Sequence, residues 1–168
     1  YFQTYGLPVV IVRPFNTYGP RCQVEGQLAE VIPRFALSYL NNRKPIIFGD
    51  GNNGRDFTYG TDVVKEIKTA STVREALGEV INIAYGKMIT VNEISKVLQK
   101  KIGNKTKPKQ GKKRPGDVIH LRANTKKAQK ILNYKATINF NNGIDLFLEW
   151  IRKTNFSGTN LTFNDYNW

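Results

Sequence analysis

The sequence predicts an α/β fold, on three observations. Short apolar runs rich in β-branched residues recur at residues 8–12, 45–48 and 80–84. Stretches with apolar residues at helical spacing alternate with them, and clusters of Gly, Asn and Pro separate the two kinds of segment. Such alternation is the pattern of parallel sheets covered by helices.

The elements follow in order. Pro8-Val9-Val10-Ile11-Val12 reads as a strand buried on both faces, ended by Arg13-Pro14. The turn chemistry of Phe15-Asn16-Thr17-Tyr18-Gly19-Pro20 then lies at a strand's carboxyl end, where open α/β sheets gather ligands. Leu28, Val31, Ile32, Phe35 and Tyr39 predict a helix, and Pro45-Ile46-Ile47-Phe48 a second strand. Thr61 or Asp62 is the expected N-cap of a helix carrying the apolar Val63, Val64, Ile67 and Ala70. Val80-Ile81-Asn82-Ile83-Ala84 is the third strand. Thr90 and Glu93 form a capping box before Ile94, Val97 and Leu98, and Gly103 is the stop. Residues 103–116 read as a basic loop, and Thr125 as the cap of a short helix ending near Leu132. Ile144, Phe147, Leu148 and Ile151 mark a last helix. Residues 1–154 are expected to form the domain, and 155–168 an irregular tail. Three strands do not complete a doubly wound sheet, and a chain starting at Tyr1 suggests a fragment, so sheet partners are expected from outside it.

Composition narrows the function. The 168 residues hold no apolar run long enough to span a bilayer and no signal peptide. Cys22 is the single cysteine, which fits a reducing, cytoplasmic setting and allows no internal disulfide. His120 is the single histidine, remote in sequence from Cys22, so a Cys–His nucleophile is not expected. Net charge is +13, and 14 of the 26 Lys and Arg residues fall within 96–135, where Asp117 is the only acid. That block favours anions. It carries no recognised nucleic-acid motif and no interleaved aromatics, so a nucleic-acid partner is not expected. No metal site is expected either.

One motif misleads. Gly49-Asp50-Gly51-Asn52-Asn53-Gly54 fits G-x-G-x-x-G, but the dinucleotide fingerprint must open a helix so that pyrophosphate meets the helix N-terminus. Here the extended, β-prone Arg55-Asp56-Phe57-Thr58-Tyr59 follows, so a hairpin-like loop is expected.

The informative segment is Arg13-Pro14-Phe15-Asn16-Thr17-Tyr18-Gly19-Pro20-Arg21. Four more follow it in order: Glu30-Val31-Ile32-Pro33; Ile47-Phe48-Gly49-Asp50-Gly51 with Arg55-Asp56-Phe57; Tyr59 with Asp62-Val63-Val64; and Arg114-Pro115-Gly116-Asp117. Together they resemble the signature segments of the extended short-chain dehydrogenases that act on nucleotide sugars as NAD-dependent 4-epimerases, 4,6-dehydratases or decarboxylases. The resemblance spans roughly residues 5–152 and implies the C-terminal, substrate-binding part of such an enzyme. The implied fold is the last strands of a Rossmann-like sheet interleaved with a small α/β subdomain.

The resemblance also implies roles. A nucleoside diphosphate sugar needs forked cationic donors for its phosphates. Arg55 and Arg114 match the family's diphosphate positions, and Asn16 matches an amide at the phosphate or sugar. Phe48 and the backbone of Glu30, Val31 and Ile32 match the base and ribose contacts. Asp117 matches a ribose-contacting or Arg-orienting acid, and Asn82 is a further candidate for the cleft. Pro14 and Phe15 would meet NAD through backbone contacts. The parent enzyme is expected to be a homodimer that oxidises the sugar at C4. No catalytic residue is assigned here: the sequence holds no Tyr-x-x-x-Lys, the family's proton-transfer pair. The chain is therefore read as the binding part of the enzyme or, alternatively, as a non-catalytic fragment or half of a split enzyme that an upstream chain completes. Gly60, where the family has Val, is expected to weaken a strand end, and Glu66 to fit a packed helix face poorly.

Overall fold

The computed structural model describes residues 1–24 and 30–154. In chain order its elements are α1 (Phe2–Tyr5), β1 (Ile11–Pro14), β2 (Thr17–Tyr18), α2 (Val31–Leu40), β3 (Ile46–Phe48), β4 (Gly54–Arg55), β5 (Thr58–Tyr59) and α3 (Gly60–Ala70). Then come a 3-10 turn (Arg74–Ala76), β6 (Val80–Ile83), β7 (Ile89–Thr90), α4 (Val91–Ile102), β8 (Lys109–Gly111), β9 (His120–Leu121), α5 (Lys126–Leu132) and α6 (Phe140–Lys153). They sort into two compact units. One comprises Tyr1–Tyr18, Arg55–Met88 and Leu121–Phe140, the other Gly19–Gly54, Ile89–His120 and Asn141–Trp168. Leu28, taken from the sequence as part of a helix, and the expected tail at 155–168 lie outside the described residues.

In the first unit β1 and β6 pair in parallel, from Ile11 opposite Val80 to Pro14 opposite Ile83. The strand begins three residues later than the apolar run suggested and includes Pro14. Proline has no N–H to give the ladder, but Phe15 N donates to Ile83 O (3.0 Å), so the pairing continues past it. Nor is the strand buried on both faces. Val10 and Val12 pack on a core of Val63, Ala70, Ile81, Ile83, Ala128 and Leu132, while Ile11 is 54% exposed. That period of two is the pattern of a half-covered sheet. β2 and β5 also pair in parallel, Thr17 with Thr58 and Tyr18 with Tyr59. The buried Tyr18 ring meets Phe57 and Tyr59 edge-on, and its hydroxyl donates to Phe140 O (3.4 Å).

Helix α3 departs furthest from expectation. It starts at Gly60 with Tyr59 as N-cap, not at Thr61 or Asp62. Asp62 is buried and caps a different segment: its carboxylate accepts from Thr137 N (2.9 Å), Thr137 Oγ1 (2.6 Å) and Ile138 N (3.0 Å). Val64 and Ile67 face solvent, and the buried face is Asp62, Val63, Glu66 and Ala70. Glu66 thus fits the packed face that was expected to exclude it, although its Oε2 has no hydrogen-bond partner among the described residues. Gly60 lies in the first helical turn rather than a strand end, and a Cβ there would meet Tyr18 O at an ordinary 3.5 Å.

In the second unit α2 packs on α4, with Phe35 against Tyr39 edge-on and the Tyr39 hydroxyl bonded to Ser95 Oγ. The capping box of α4 is present in full. Thr90 Oγ1 accepts from Glu93 N (3.2 Å), and Glu93 Oε2 accepts from Thr90 N (2.7 Å). Gly103 ends the helix in the left-handed region (φ 75°), where a Cβ is disfavoured. The α6 stripe of Ile144, Phe147, Leu148 and Ile151 is buried as expected.

Two loop expectations change. The basic stretch 103–116 contains β8, which pairs in parallel with β3, Phe48 opposite Gly111. Because β3 pairs with β8, the loop at 49–54 is not a hairpin. Gly49 and Gly51 adopt positive φ, and the loop is bonded to the start of α4: Asn92 Nδ2 donates to Asp50 O (2.9 Å) and Asn92 N to Gly51 O (3.0 Å). A Cβ at Gly51 would collide with the Asn92 side chain and Ile47. The loop opens no helix; the next to start is α3, after β4 and β5. Its glycines are thus explained by packing within this loop and not by the hairpin that the sequence reading expected.

Candidate functional site

The residues named from the sequence divide between the units: Pro14, Phe15, Asn16, Arg55 and Asn82 in the first, and Glu30, Val31, Ile32, Phe48, Arg114 and Asp117 in the second.

In the first unit, two amides lie near the carboxyl end of the β1–β6 pair. Asn82 is the β6 residue opposite Arg13, and Asn16 follows β1 by two residues with φ 29°, a conformation asparagine tolerates. Asn16 O accepts from Thr58 N (3.2 Å), and Asn82 Nδ2 donates to Asn124 O (3.4 Å). The side-chain Oδ1 of each is buried with no hydrogen-bond partner among the described residues. A buried acceptor without a donor is costly, so each oxygen calls for an N–H or O–H from a ligand or water. Asn16 does not use its side-chain oxygen to bond its own turn, the simple structural alternative. Pro14 is exposed and Phe15 half-buried.

Arg55 is half-buried in β4. Its neighbour Asp56 is wholly buried and works as a clasp, accepting from Gly86 N (3.0 Å) and Ala123 N (3.2 Å). Burial pushes the Asp56 carboxyl above its ordinary value, against the pull of these bonds and of Arg122. Arg122 Nε closes the same corner on Gly86 O (2.8 Å).

The second unit holds the densest arrangement. Phe48 ends β3 and Arg114 follows β8 by three residues, so the β3–β8 pairing brings them together: Arg114 Cζ is 4.0 Å from the centre of the Phe48 ring. A guanidinium over an aromatic face is attracted by the ring quadrupole. Arg114 is half-buried, and its pKa is lowered by that burial while Asp117 opposes the shift. Asp117 is itself held, its Oδ2 accepting from Asn53 Nδ2 (2.6 Å). Glu30 is the N-cap of α2 and makes no side-chain cap bond. Val31 is half-buried, and the Ile32 side chain is wholly inside the core, which leaves only its backbone available to a ligand.

Three residues of this arrangement escaped the sequence reading. Arg34, in α2, is close enough to Arg114 that the two guanidinium groups repel; burial is the larger cause of its lowered pKa, and Arg114 adds to it. A cation directly after Val31-Ile32-Pro33 was the available signal. Asn53 was taken only as a loop residue, and Gly111 only as part of a basic loop. Cys22 is no nucleophile: burial raises its thiol to about 11, so it stays protonated at neutral pH.

Residues 1–147 match the family model described as GDP-mannose 4,6 dehydratase. A UDP-glucuronate 4-epimerase of Thermodesulfobacterium geofontis is 34% identical over 91% of this chain and 46% of its own length. Among solved structures, the UDP-glucose 4-epimerase of Thermotoga maritima with UDP-glucose superposes with a TM-score of 0.86 at 33% identity, over 91% of this chain and 48% of that one. The UDP-glucuronic acid 4-epimerase of Bacillus cereus, in complex with UDP-glucuronic acid and NAD, gives 0.83 at 29%, over 92% and 48%. The chain spans about half the length of the curated relatives it matches. By sequence and by fold, the chain belongs to the nucleotide-sugar epimerase and dehydratase family.

Proposed function

We propose that this chain is the nucleotide-sugar-binding part of an NAD-dependent 4-epimerase or 4,6-dehydratase. The observation that carries the reading is the half-buried Arg114 guanidinium, seated on Phe48 with Asp117 as its acidic neighbour and Arg34 as a second cation. Desolvated forked cations suit a diphosphate, because charge-assisted hydrogen bonds strengthen as water is excluded. The related enzymes solved with UDP-glucose, or with UDP-glucuronic acid and NAD, supply the substrate class.

Residue by residue, Arg114 and Arg55 are assigned to the phosphates, and Asn16 to the phosphate or sugar. The backbone of Glu30, Val31 and Ile32 is assigned to the nucleoside end, with Phe48 against the Arg114 guanidinium and Asp117 at the ribose or behind Arg114. The unpartnered Oδ1 atoms of Asn16 and Asn82 favour ligand roles for both amides. Bound in the parent enzyme, NAD would supply the hydride acceptor for oxidation of the sugar at C4. Pro14 and Phe15 are the residues assigned to it; with no helix opening after residues 49–54, they do not make up a dinucleotide site on their own. No Tyr-x-x-x-Lys is present to move protons, so the chain alone binds without turnover.

The test is calorimetric titration of the 168-residue chain with UDP, UDP-glucose, dTDP-glucose and GDP-mannose. Binding of at least one is expected, with no 4-keto product. Arg114→Ala should weaken it about tenfold to a hundredfold, as expected for one lost charge-assisted bond. Lys113→Ala, in the exposed loop, should change it little. Equal effects from the two substitutions would assign binding to diffuse charge, and no binding of any nucleoside diphosphate would end the proposal.

A further inference from the structure

We infer that Phe48 is a positioning residue for Arg114, and that Gly111 is what allows it to be one; the inference rests on the reading that Arg114 binds the ligand's phosphates. The guanidinium carbon stands 4.0 Å from the ring centre, so one face of Phe48 is taken by the cation. A base cannot stack on that face at the same time. On that face the ring acts on the phosphate end of the ligand, through Arg114, and offers the base no platform.

The space for this arrangement comes from Gly111. It is the register partner of Phe48 across the β3–β8 pair. A Cβ at Gly111 would lie 3.0 Å from Phe48 Cδ1 and 3.3 Å from Cε1, and 2.8 Å from Ile46 Cγ2. A Cβ there would thus press on the ring by a few tenths of an ångström and harder still on Ile46. Arg114 is only three residues beyond Gly111, so a short tether delivers the guanidinium to the ring that the glycine accommodates.

The need for such a platform follows from charge. Arg34 repels Arg114, and an arginine side chain free to swing would relieve that repulsion by turning into solvent. The electron-rich face of Phe48 opposes this and keeps the planar fork half-buried before the ligand arrives. Preorganisation of that kind raises affinity by lowering the ordering cost of binding.

The experiment compares UDP, uridine and inorganic pyrophosphate on the wild-type chain and on Phe48→Leu, Phe48→Tyr, Gly111→Ala, Arg114→Ala and the Phe48→Leu/Arg114→Ala double variant. Folding is checked by circular dichroism. Proton NMR reports the ring-current shift of the Arg114 side chain without any ligand. The expected result is an upfield-shifted Arg114 Hδ and Hε signal that disappears in Phe48→Leu. Phe48→Leu should weaken UDP and pyrophosphate about tenfold, within the range of a partly desolvated cation–π contact. It should leave uridine unchanged and have no further effect when Arg114 is already alanine. Phe48→Tyr should keep wild-type affinity, and Gly111→Ala should reproduce Phe48→Leu. Equal loss of uridine and UDP in Phe48→Leu, or an undiminished loss in the Arg114→Ala background, would overturn the inference and make Phe48 a base platform. So would an absent ring-current shift, whatever the ligand data. A wild-type chain that shows the shift but binds neither UDP nor pyrophosphate would overturn the proposed function, and the inference with it.

Discussion

The first unit buries acids, whereas the second half-buries guanidinium groups. Asp56, Asp62 and Glu66 are all at most 4% exposed, and the first two spend their oxygens on backbone N–H groups of distant segments, from Gly86 and Ala123 to Thr137 and Ile138. They act as pins, joining pieces of chain that are far apart in sequence. In the second unit, Arg34 and Arg114 stand near each other despite their repulsion, and Phe48 and Asp117 hold Arg114 in place. A buried acid whose acceptors are filled from within serves stability. A cluster of like charges costs stability and attracts anions.

The comparison breaks most sharply at Asp62. Replacing it with alanine strands Thr137 N, Thr137 Oγ1 and Ile138 N, and should cost about 3 kcal/mol or more in chemical unfolding, since bonds to a charged acceptor contribute about 1.5–3 kcal/mol each. Ligand affinity at any accessible folded fraction should hardly change. Arg114→Ala should do the reverse. It should lower affinity for UDP while leaving the unfolding midpoint unchanged or slightly raised, because a repulsive neighbour of Arg34 is removed. A large fall in stability with Arg114→Ala would erase the distinction between pins and ligand cations.

Two smaller effects sharpen the contrast. Thr90→Ala removes the α4 capping box and should cost about 1 kcal/mol, read by thermal or urea unfolding. Glu66→Gln tests the buried acid whose Oε2 has no partner among the described residues. Burial raises the Glu66 carboxyl above its ordinary value, with Asp62 adding to it against the pull of Lys65. An acid raised in the folded state loses stability as pH climbs from the unfolded value through the folded one. Glu66→Gln should therefore be more stable than wild type at pH 7, with the gap closing below about pH 4, near the unfolded carboxyl value. A gap that is constant with pH would mean that the Glu66 carboxyl titrates alike in the folded and unfolded chain.

What could be read from the sequence follows the range of the forces involved. The α4 capping box and the α6 stripe are set by residues three or four apart, and both stand where the spacing put them. The signature motifs led to the family because they lie in order along the chain. Helix α3 was misread because its apolar Val64 and Ile67 suggested an inner face, whereas backbone donors 75 residues away draw Asp62 inward. Strand β8 was invisible for a similar reason: Lys109, Gln110 and Gly111 have no strand preference, and it is β3, some 63 positions earlier, that pairs with them. Arg34 was passed over because its place directly after Val31-Ile32-Pro33 gives it no role by itself; only folding brings it beside Arg114.

The division of each unit into three separated stretches bears on how the molecule is made. The core of the first unit draws Ala128, Leu132 and Tyr134 from its last stretch, Leu121–Phe140, and Asp62 finds its donors only at Thr137 and Ile138. The second unit gains Ile144, Phe147, Leu148 and Ile151 later still. On a ribosome adding residues one at a time, neither core is complete until its last stretch has left the exit tunnel. Before that, Val10, Val12, Ile81 and Ile83 are in the cell without the α5 residues that cover them. A nascent chain of this order holds apolar surface awaiting cover until α5 has emerged, the condition under which chaperone engagement matters most. The emergence of residues 121–151 thus sets the moment at which either unit can become native.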